Sequence, residues 1–234
     1  MNRLIKILLK NLGKFPSAYY KLCKYAKHPE NYTRQQMWEH IQYMMATAVA
    51  SSGVELQVTG LENIPKEGSF MLYGNHQGLF DVIAIAASCP RALSVVYKKE
   101  LSNVPLLKQI YACTNSFAMD REDVRQSLTV IQNVTEEVKK GYPYLIFPEG
   151  TRSKQGNRML PFHAGSFRCA IKAKCPVVPM ALVDSFRVLD EKGSGPLKVQ
   201  LHYLPAIPYE AFQDKKAAEL ATMVQDVIQK AIEN

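Results

Sequence analysis

An α/β fold, with a mostly parallel or mixed sheet of about seven strands covered by helices, is what this 234-residue chain predicts. Three observations carry that reading. From Val54 onward, short apolar stretches of strand length alternate with longer stretches of helical period, the pattern of strand–helix–strand units. Before residue 54 the period is helical throughout, which marks off an N-terminal two-helix amphipathic appendage over 1–53 from a domain over 54–234. Finally, 47% hydrophobic and 21% charged residues belong to a folded chain with a sizeable core and exclude disorder.

Residues 2–15 read as the first helix. At about 100° per residue, Arg3, Lys6, Lys10 and Lys14 fall on one narrow face, and Leu4, Ile5, Leu8, Leu9, Leu12 and Phe15 gather opposite. Residues 34–50 carry Met37, Trp38, Ile41, Met44, Met45, Ala48 and Val49 at helical spacing, a stripe expected in the core. Ser51-Ser52-Gly53 ends it. Val54, Leu56 and Val58 then alternate with polar residues as a half-buried strand, and Ser69–Tyr73 is the next strand. A short helix over 81–88, a strand over 93–97, a helix over 105–113 and a short strand over 116–119 follow. Val124, Leu128, Ile131, Val134 and Val138 define a helix over 122–140 that Gly141 stops. Strands are expected at 142–147, 177–183 and 197–204, with helices at 164–174 and 215–232.

The net charge of +8 is uneven, since residues 1–60 hold eight Lys/Arg against three Asp/Glu. Seven basic and no acidic residues occupy the first 27 positions. A basic amphipathic helix of this kind can lie in a bilayer interface, each cation near an anionic surface adding roughly 1 kcal/mol. With no run of ~18 apolar residues, a spanning helix is not expected. An anionic membrane surface is therefore the expected partner. No nucleic-acid module or aromatic-interleaved basic stretch is present, so nucleic acid is not. The five cysteines are scattered and odd in number, as in a reduced chain, and no spacing suits a metal site.

Two stretches carry chemistry. In Asn75-His76-Gln77-Gly78-Leu79-Phe80-Asp81, His76 and Asp81 lie five positions apart at a strand-to-helix transition. On one continuous helix that separation would rotate them by about 140°. They can meet if His76 precedes the helix and Asp81 sits in its first turn. Asp81 would then accept from Nδ1–H and leave Nε2 free to take a proton. No nucleophilic Ser or Cys lies inside this stretch, which favours direct activation of a substrate hydroxyl. The second stretch, Phe147-Pro148-Glu149-Gly150-Thr151-Arg152-Ser153, follows an apolar strand and so sits at the sheet's C-terminal edge, where α/β folds place ligands. Arg152 there can grip a phosphate with its fork of donors, and Glu149 would temper or hold that arginine. Lys98, Lys99 and Arg121, at the ends of two more expected strands, add cations to the same edge.

These motifs resemble those of the glycerolipid acyltransferase superfamily, most closely the 1-acylglycerol-3-phosphate acyltransferases. The superfamily's Asn-His-x4-Asp is met by Asn75 to Asp81, and its Phe-Pro-Glu-Gly-Thr-Arg-Ser by Phe147 to Ser153 at every position. An apolar strand ending in Asp-Arg is similar to Phe117–Arg121, the Lys-x-Glu-Leu element to Lys98–Leu101, and a proline-punctuated strand to Pro176–Pro179. All keep the superfamily's order, over roughly residues 54–205. Asn115 departs from a frequent glycine, and His163 from a frequent lysine.

The resemblance implies His76 as base and Asp81 as its orienter, with Lys98, Arg121, Glu149, Gly150, Thr151 and Arg152 in the substrate site. It implies transfer of an acyl group from a thioester, acyl-CoA or acyl-ACP, to the sn-2 hydroxyl of lysophosphatidic acid, with no metal and no cofactor. Backbone amides near Gly78 could stabilise the tetrahedral oxyanion, but the sequence does not establish the oxyanion donors. Glycerol 3-phosphate or a lysophospholipid is the alternative acceptor, and a non-enzymatic membrane-binding protein the alternative class. The expected location is the cytoplasmic face of the cell membrane, peripheral or monotopic.

Overall fold

The computed structural model describes residues 3–191, 193 and 195–233, with the backbone alone at Leu4. Its middle layer is a seven-stranded sheet built from β1 (Val54–Thr59), β2 (Met71–Gly74), β3 (Ser94–Lys98), β4 (Phe117–Met119), β5 (Tyr144–Ile146), β6 (Val177–Val183) and β7 (Leu197–Tyr203). The spatial order is β1-β7-β6-β2-β5-β3-β4. Every neighbouring pair is parallel except β6 and β7, so the sheet is mixed and has the expected number of strands.

Helices α1 (Arg3–Asn11), α2 (Phe15–Lys27) and α3 (Arg34–Ser52) precede the sheet. The remaining helices are α4 (Phe80–Ser88), α5 (Leu107–Thr114), α6 (Val124–Lys139), α7 (Arg168–Ala173), α8 (Phe186–Leu189) and α9 (Ala217–Glu233). Strand period 2 sends alternate side chains to opposite faces, and β2 shows the result. Met71 and Tyr73 join Val134 of α6 and Leu220 and Val224 of α9 in one core layer. Leu72, between them, joins Trp38 of α3, Phe80 and Ile85 of α4 and Val188 of α8 in the other. Central strands buried on both sides read as continuous apolar runs, which is why the expected bounds of β6 match the observed ones.

Two corrections fall on the N-terminal segment. It holds three helices rather than two, because the chain turns after Asn11 and restarts at Phe15 with Pro16 in the first turn, where proline is tolerated. Residue 53 also marks a change of period without a gap in packing. Trp38 shares the sheet's core layer, and its indole donates to the Cys89 carbonyl at the end of α4 over 3.0 Å. The α3 stripe is buried as expected at Met37, Trp38, Ile41 and Met44. A capping box between Thr33 and Gln36 starts α3, and Gly53 in the left-handed region (φ 76°) ends it.

The first helix is inside out. Arg3 is buried, donating to the carbonyls of Gly193 (2.9 Å) and Gly195 (2.5 Å). Lys6 is half-buried over Gly53, and Asn11 donates to Ser51 Oγ at 2.8 Å. Arg3, Lys6 and Asn11 of the polar side of α1 thus pack on the protein, while Lys10 and Lys14 stay exposed. Ile5, Leu8, Leu9, Leu12 and Phe15 are exposed; the Leu4 side chain and Asn2 lie outside the described residues. Among the described residues, no helix is long and apolar enough to cross a membrane.

Candidate active site

Strands β6, β2 and β5 are parallel neighbours, so the loops leaving their C-terminal ends meet at one edge. The loop after β2 brings His76, the loop after β5 brings Glu149 and Arg152, and the turn after β6 brings Asp184 and Ser185. Strands β3 and β4 continue the parallel series, adding Lys98 and Arg121.

Asn75 fixes the start of the first loop. Its buried side-chain amide donates to the Leu182 carbonyl and accepts from the Leu182 amide, both at 2.8 Å. The side chain thereby extends the β2–β6 ladder by one rung after the main chain has left it. The main chain turns at Gly78, where a Cβ would stand 2.5 Å from Asp190 Oδ2 and 3.0 Å from the Phe186 Cα. Only glycine fits there without displacing α8.

Helix α4 then begins at Phe80, with Asp81 in its first turn. The expected geometry is present: His76 Nδ1 lies 2.7 Å from Asp81 Oδ2. The same oxygen accepts from the amides of Gln77 at 2.7 Å and Gly78 at 3.0 Å. Ser185 Oγ donates to Oδ1 in a short hydrogen bond. Asp81 is fully buried, and four donors directed at one carboxylate hold it oriented. The amides of Gln77 and Gly78 are therefore engaged with Asp81.

The imidazole stacks on Phe147, with centroids 4.1 Å apart and planes 16° off parallel. It retains 18% of its side-chain surface. With Nδ1 on Asp81, Nε2 points away from that carboxylate, and among the described residues no hydrogen bond occupies it.

Glu149 proves to be a strut. Its Oε1 accepts from the His76 amide at 2.6 Å and its Oε2 from the Leu160 amide at 2.8 Å. Burial pushes this carboxyl above the ordinary glutamate value, against the opposing pull of those two amides. The expectation that Glu149 tempers Arg152 is corrected: Arg152 pairs with Asp190 at 3.0 Å, both side chains one-third exposed. A half-exposed pair of that kind is worth little, so the guanidinium can re-pair with an incoming anion. Gly150 is in the left-handed region (φ 69°), with His163 3.2 Å from where its Cβ would be. Thr151 is exposed, as is His163.

Lys98 and Arg121 lie farther along the edge and are exposed. Lys98 pairs with Glu100 at 2.6 Å, and Lys99 with Asp120 at 3.3 Å. At about 4.8 Å per strand, the end of β5 is one spacing from that of β2, β3 two and β4 three, roughly 14 Å in all. Asn115 sits at φ 49°, the left-handed cap of α5. Asparagine is the residue that best replaces glycine there, which accounts for the departure noted at that position.

Sequence reasoning missed Ser185, Asn157, Asp184 and Asp190. Gln77 donates to Asn157 Oδ1 at 2.8 Å and accepts from the Ser185 amide at 3.0 Å. Asn157 in turn receives the Asp184 amide at 2.9 Å. These residues come from the β5 and β6 loops, and only the adjacency of β6 to β2 brings them in. Among the described residues, no cluster of His, Cys, Asp and Glu could hold a metal ion.

Residues 55–183, more than half of the chain, match the sequence model of a family described as Acyltransferase. A 1-acyl-sn-glycerol-3-phosphate acyltransferase of Helicobacter pylori is 34% identical over 58% of this chain and 59% of its own length. One from Saccharomyces cerevisiae is 31% identical over 74% of this chain and 58% of its own. The chain spans 58% to 64% of the length of the first curated relatives it matches. The crystal structure of PlsC, the 1-acyl-sn-glycerophosphate (LPA) acyltransferase of Thermotoga maritima, superposes with a TM-score of 0.75. That alignment covers 99% of this chain and 96% of the other at 22% identity, a likeness of fold. The chain belongs to the acyltransferase family.

Proposed function

We propose that this protein transfers a fatty acyl group from an acyl thioester to the sn-2 hydroxyl of lysophosphatidic acid, yielding phosphatidic acid, at a membrane surface. The observation that carries the reading is the 2.7 Å contact between His76 Nδ1 and the buried Asp81, with Nε2 free among the described residues. In that tautomer His76 Nε2 takes the acceptor's hydroxyl proton as the oxygen attacks the thioester carbonyl. The tetrahedral adduct collapses, the carbon–sulfur bond breaks, and His76 returns the proton to the departing thiolate. A positioned base contributes typically 10²–10⁴-fold.

Arg152 is the cation best placed for the phosphate. It lies in the loop after β5, the strand beside the one that leads to His76, and it pairs with Asp190, which stands against Gly78 of the His76 loop. Lys98 and Arg121, two and three spacings away, supply the outer field that draws in an anionic substrate or donor. Gly150 and Thr151 shape the loop that carries Arg152, and Glu149 holds that loop to His76. The 1-acyl-sn-glycerol-3-phosphate acyltransferase names of the relatives support this acceptor.

The outward apolar face of α1 supports the membrane assignment. Ile5, Leu8 and Leu9 of α1, continued by Leu12 and Phe15 at the turn into α2, give five exposed apolar side chains in 11 residues, a patch of the kind that marks an interaction surface. The segment after α8 that Arg3 grips follows Asp190, the partner of Arg152. A bilayer holding α1 therefore lies beside the site where both acyl chains must arrive.

The test crosses two donors, acyl-CoA and acyl carrier protein thioester, with three acceptors: lysophosphatidic acid, glycerol 3-phosphate and lysophosphatidylcholine. Preference for lysophosphatidic acid with either donor is the expected result. A stronger rate on either other acceptor would reject the reading.

A further inference from the structure

We propose that Ser185 is a positioning residue for the His76–Asp81 pair, the third member of a hydrogen-bonded chain that runs Ser185–Asp81–His76. The inference rests on the reading of His76 as base and goes beyond it, because Ser185 lies outside both sequence motifs and more than a hundred residues from Asp81.

The geometry is specific. Asp81 Oδ2 is filled by His76 Nδ1 and the amides of Gln77 and Gly78. Among the described residues, Ser185 Oγ alone donates to Oδ1. Ser185 is fully buried, so no solvent can take that place. Its Oγ also stands 3.0 Å from Gln77 Oε1. A hydroxyl has one proton to give, and a carboxylate oxygen is a stronger acceptor than an amide oxygen. The Ser185 main chain is held separately, by donation of its amide to the same Gln77 Oε1 at 3.0 Å. The side chain is thus locked onto Asp81 by its own backbone, a supported placement of the kind that fixes a catalytic pair.

Two consequences follow for the carboxylate. The hydrogen bond fixes its rotation, keeping Oδ2 in line with the imidazole. It also withdraws electron density, so loss of the donor makes Asp81 a stronger proton acceptor and the imidazole harder to deprotonate. Other ionisable groups facing the pair are Glu149 on the His76 amide, Asp190 with Arg152 at Gly78, and Asp184 with Arg187 beside Ser185. Ser185 substitutions leave all of these in place.

The experiment is a pH profile of kcat and kcat/KM on the purified full chain with vesicle-presented lysophosphatidic acid and acyl-CoA, for the wild type, Ser185→Ala and Ser185→Thr. Ser185→Ala is expected to lower kcat by about tenfold, one order of the 10²–10⁴ that a positioned base contributes. It should leave KM for both substrates within twofold and move the acid limb to higher pH. Ser185→Thr, which keeps the hydroxyl, restores both kcat and the limb. If Ser185→Ala does not fold, Ser185→Cys, a weaker donor of similar size, gives a smaller shift in the same direction. An acid limb that stays put in the folded variant overturns the proposal, as does a kcat within twofold of wild type. His76→Ala, run alongside, separates the two readings: full activity there removes the base itself, whereas its loss with an unmoved Ser185→Ala limb removes only the relay.

Discussion

The outward apolar face of α1 gives a prediction whose size can be worked from the structure. Leu8 and Leu12 are 52% and 64% exposed. Burying a leucine side chain from full exposure is worth about 1.5–3 kcal/mol. With these fractions still to be covered, the two together stabilise insertion by roughly 1.7–3.5 kcal/mol. At 1.4 kcal/mol per factor of ten, the double substitution Leu8→Ser/Leu12→Ser weakens membrane partitioning about 15- to 300-fold. Folding stability should change by less than ~0.5 kcal/mol per site, since neither side chain is in the core. Sedimentation with vesicles of mixed zwitterionic and anionic phospholipid, read over a range of lipid concentration, measures the partition coefficient directly. A double variant that partitions within threefold of wild type would refute the argument that this face enters lipid. A control, Val124→Ser on a still more exposed apolar side chain (72%) of α6, should leave partitioning unchanged.

Three further outcomes follow from the site. Gly78→Ala places a methyl group 3.0 Å from the Phe186 Cα and against Asp190, so it should cost about 1–3 kcal/mol by overpacking and, by displacing the carboxylate that competes with the phosphate for Arg152, lower KM for lysophosphatidic acid. Thermal melts and acceptor titrations read the two effects. Asn75→Ala leaves the Leu182 amide and carbonyl without partners; at about 1–3 kcal/mol for each buried group, urea unfolding should show a loss of several kcal/mol. Glu149 gives a pH-dependent signature. Its native carboxyl titrates above the ordinary value because of burial, so the native state binds more protons than the unfolded state in the window between the two. Wild-type stability therefore falls as pH rises through that window, whereas Glu149→Gln lacks this slope. Urea melts of both proteins from acid to neutral pH should converge or cross in the variant's favour, and a constant difference would contradict the assignment.

How much was legible in the sequence depended on how local each signal was. The approach of Asp81 to His76 needed only a strand ending before one residue and a helix starting before the other, both marked within seven positions. Strand β6 was readable to the residue because its burial on both faces leaves seven consecutive positions with no exposed side chain. Helix α8 escaped because four residues are too few to show a period. Ser185, Asn157 and Asp190 escaped because their relation to His76 exists only through strand order, and no spacing along the chain encodes that β6 lies beside β2. Glu149 and Arg152 are neighbours in sequence and were expected to pair. The turn at Gly150 sends one inward to the His76 amide and the other outward to Asp190. The faces of α1 were legible, and the apolar one is outward as a helix lying in a bilayer interface requires; the anchoring of Arg3 on the Gly193 and Gly195 carbonyls was not, because it depends on a loop 190 residues away.

The central claim is that His76, held by Asp81, is the base for acyl transfer. Single-turnover transfer from acyl-CoA to vesicle-bound lysophosphatidic acid, comparing wild type with His76→Ala at saturating concentrations of both substrates, tests it most directly. A fall of at least about 10²-fold, with an unchanged melting curve and unchanged vesicle binding, is the predicted result. A folded, membrane-bound His76→Ala protein that turns over within tenfold of wild type would contradict it.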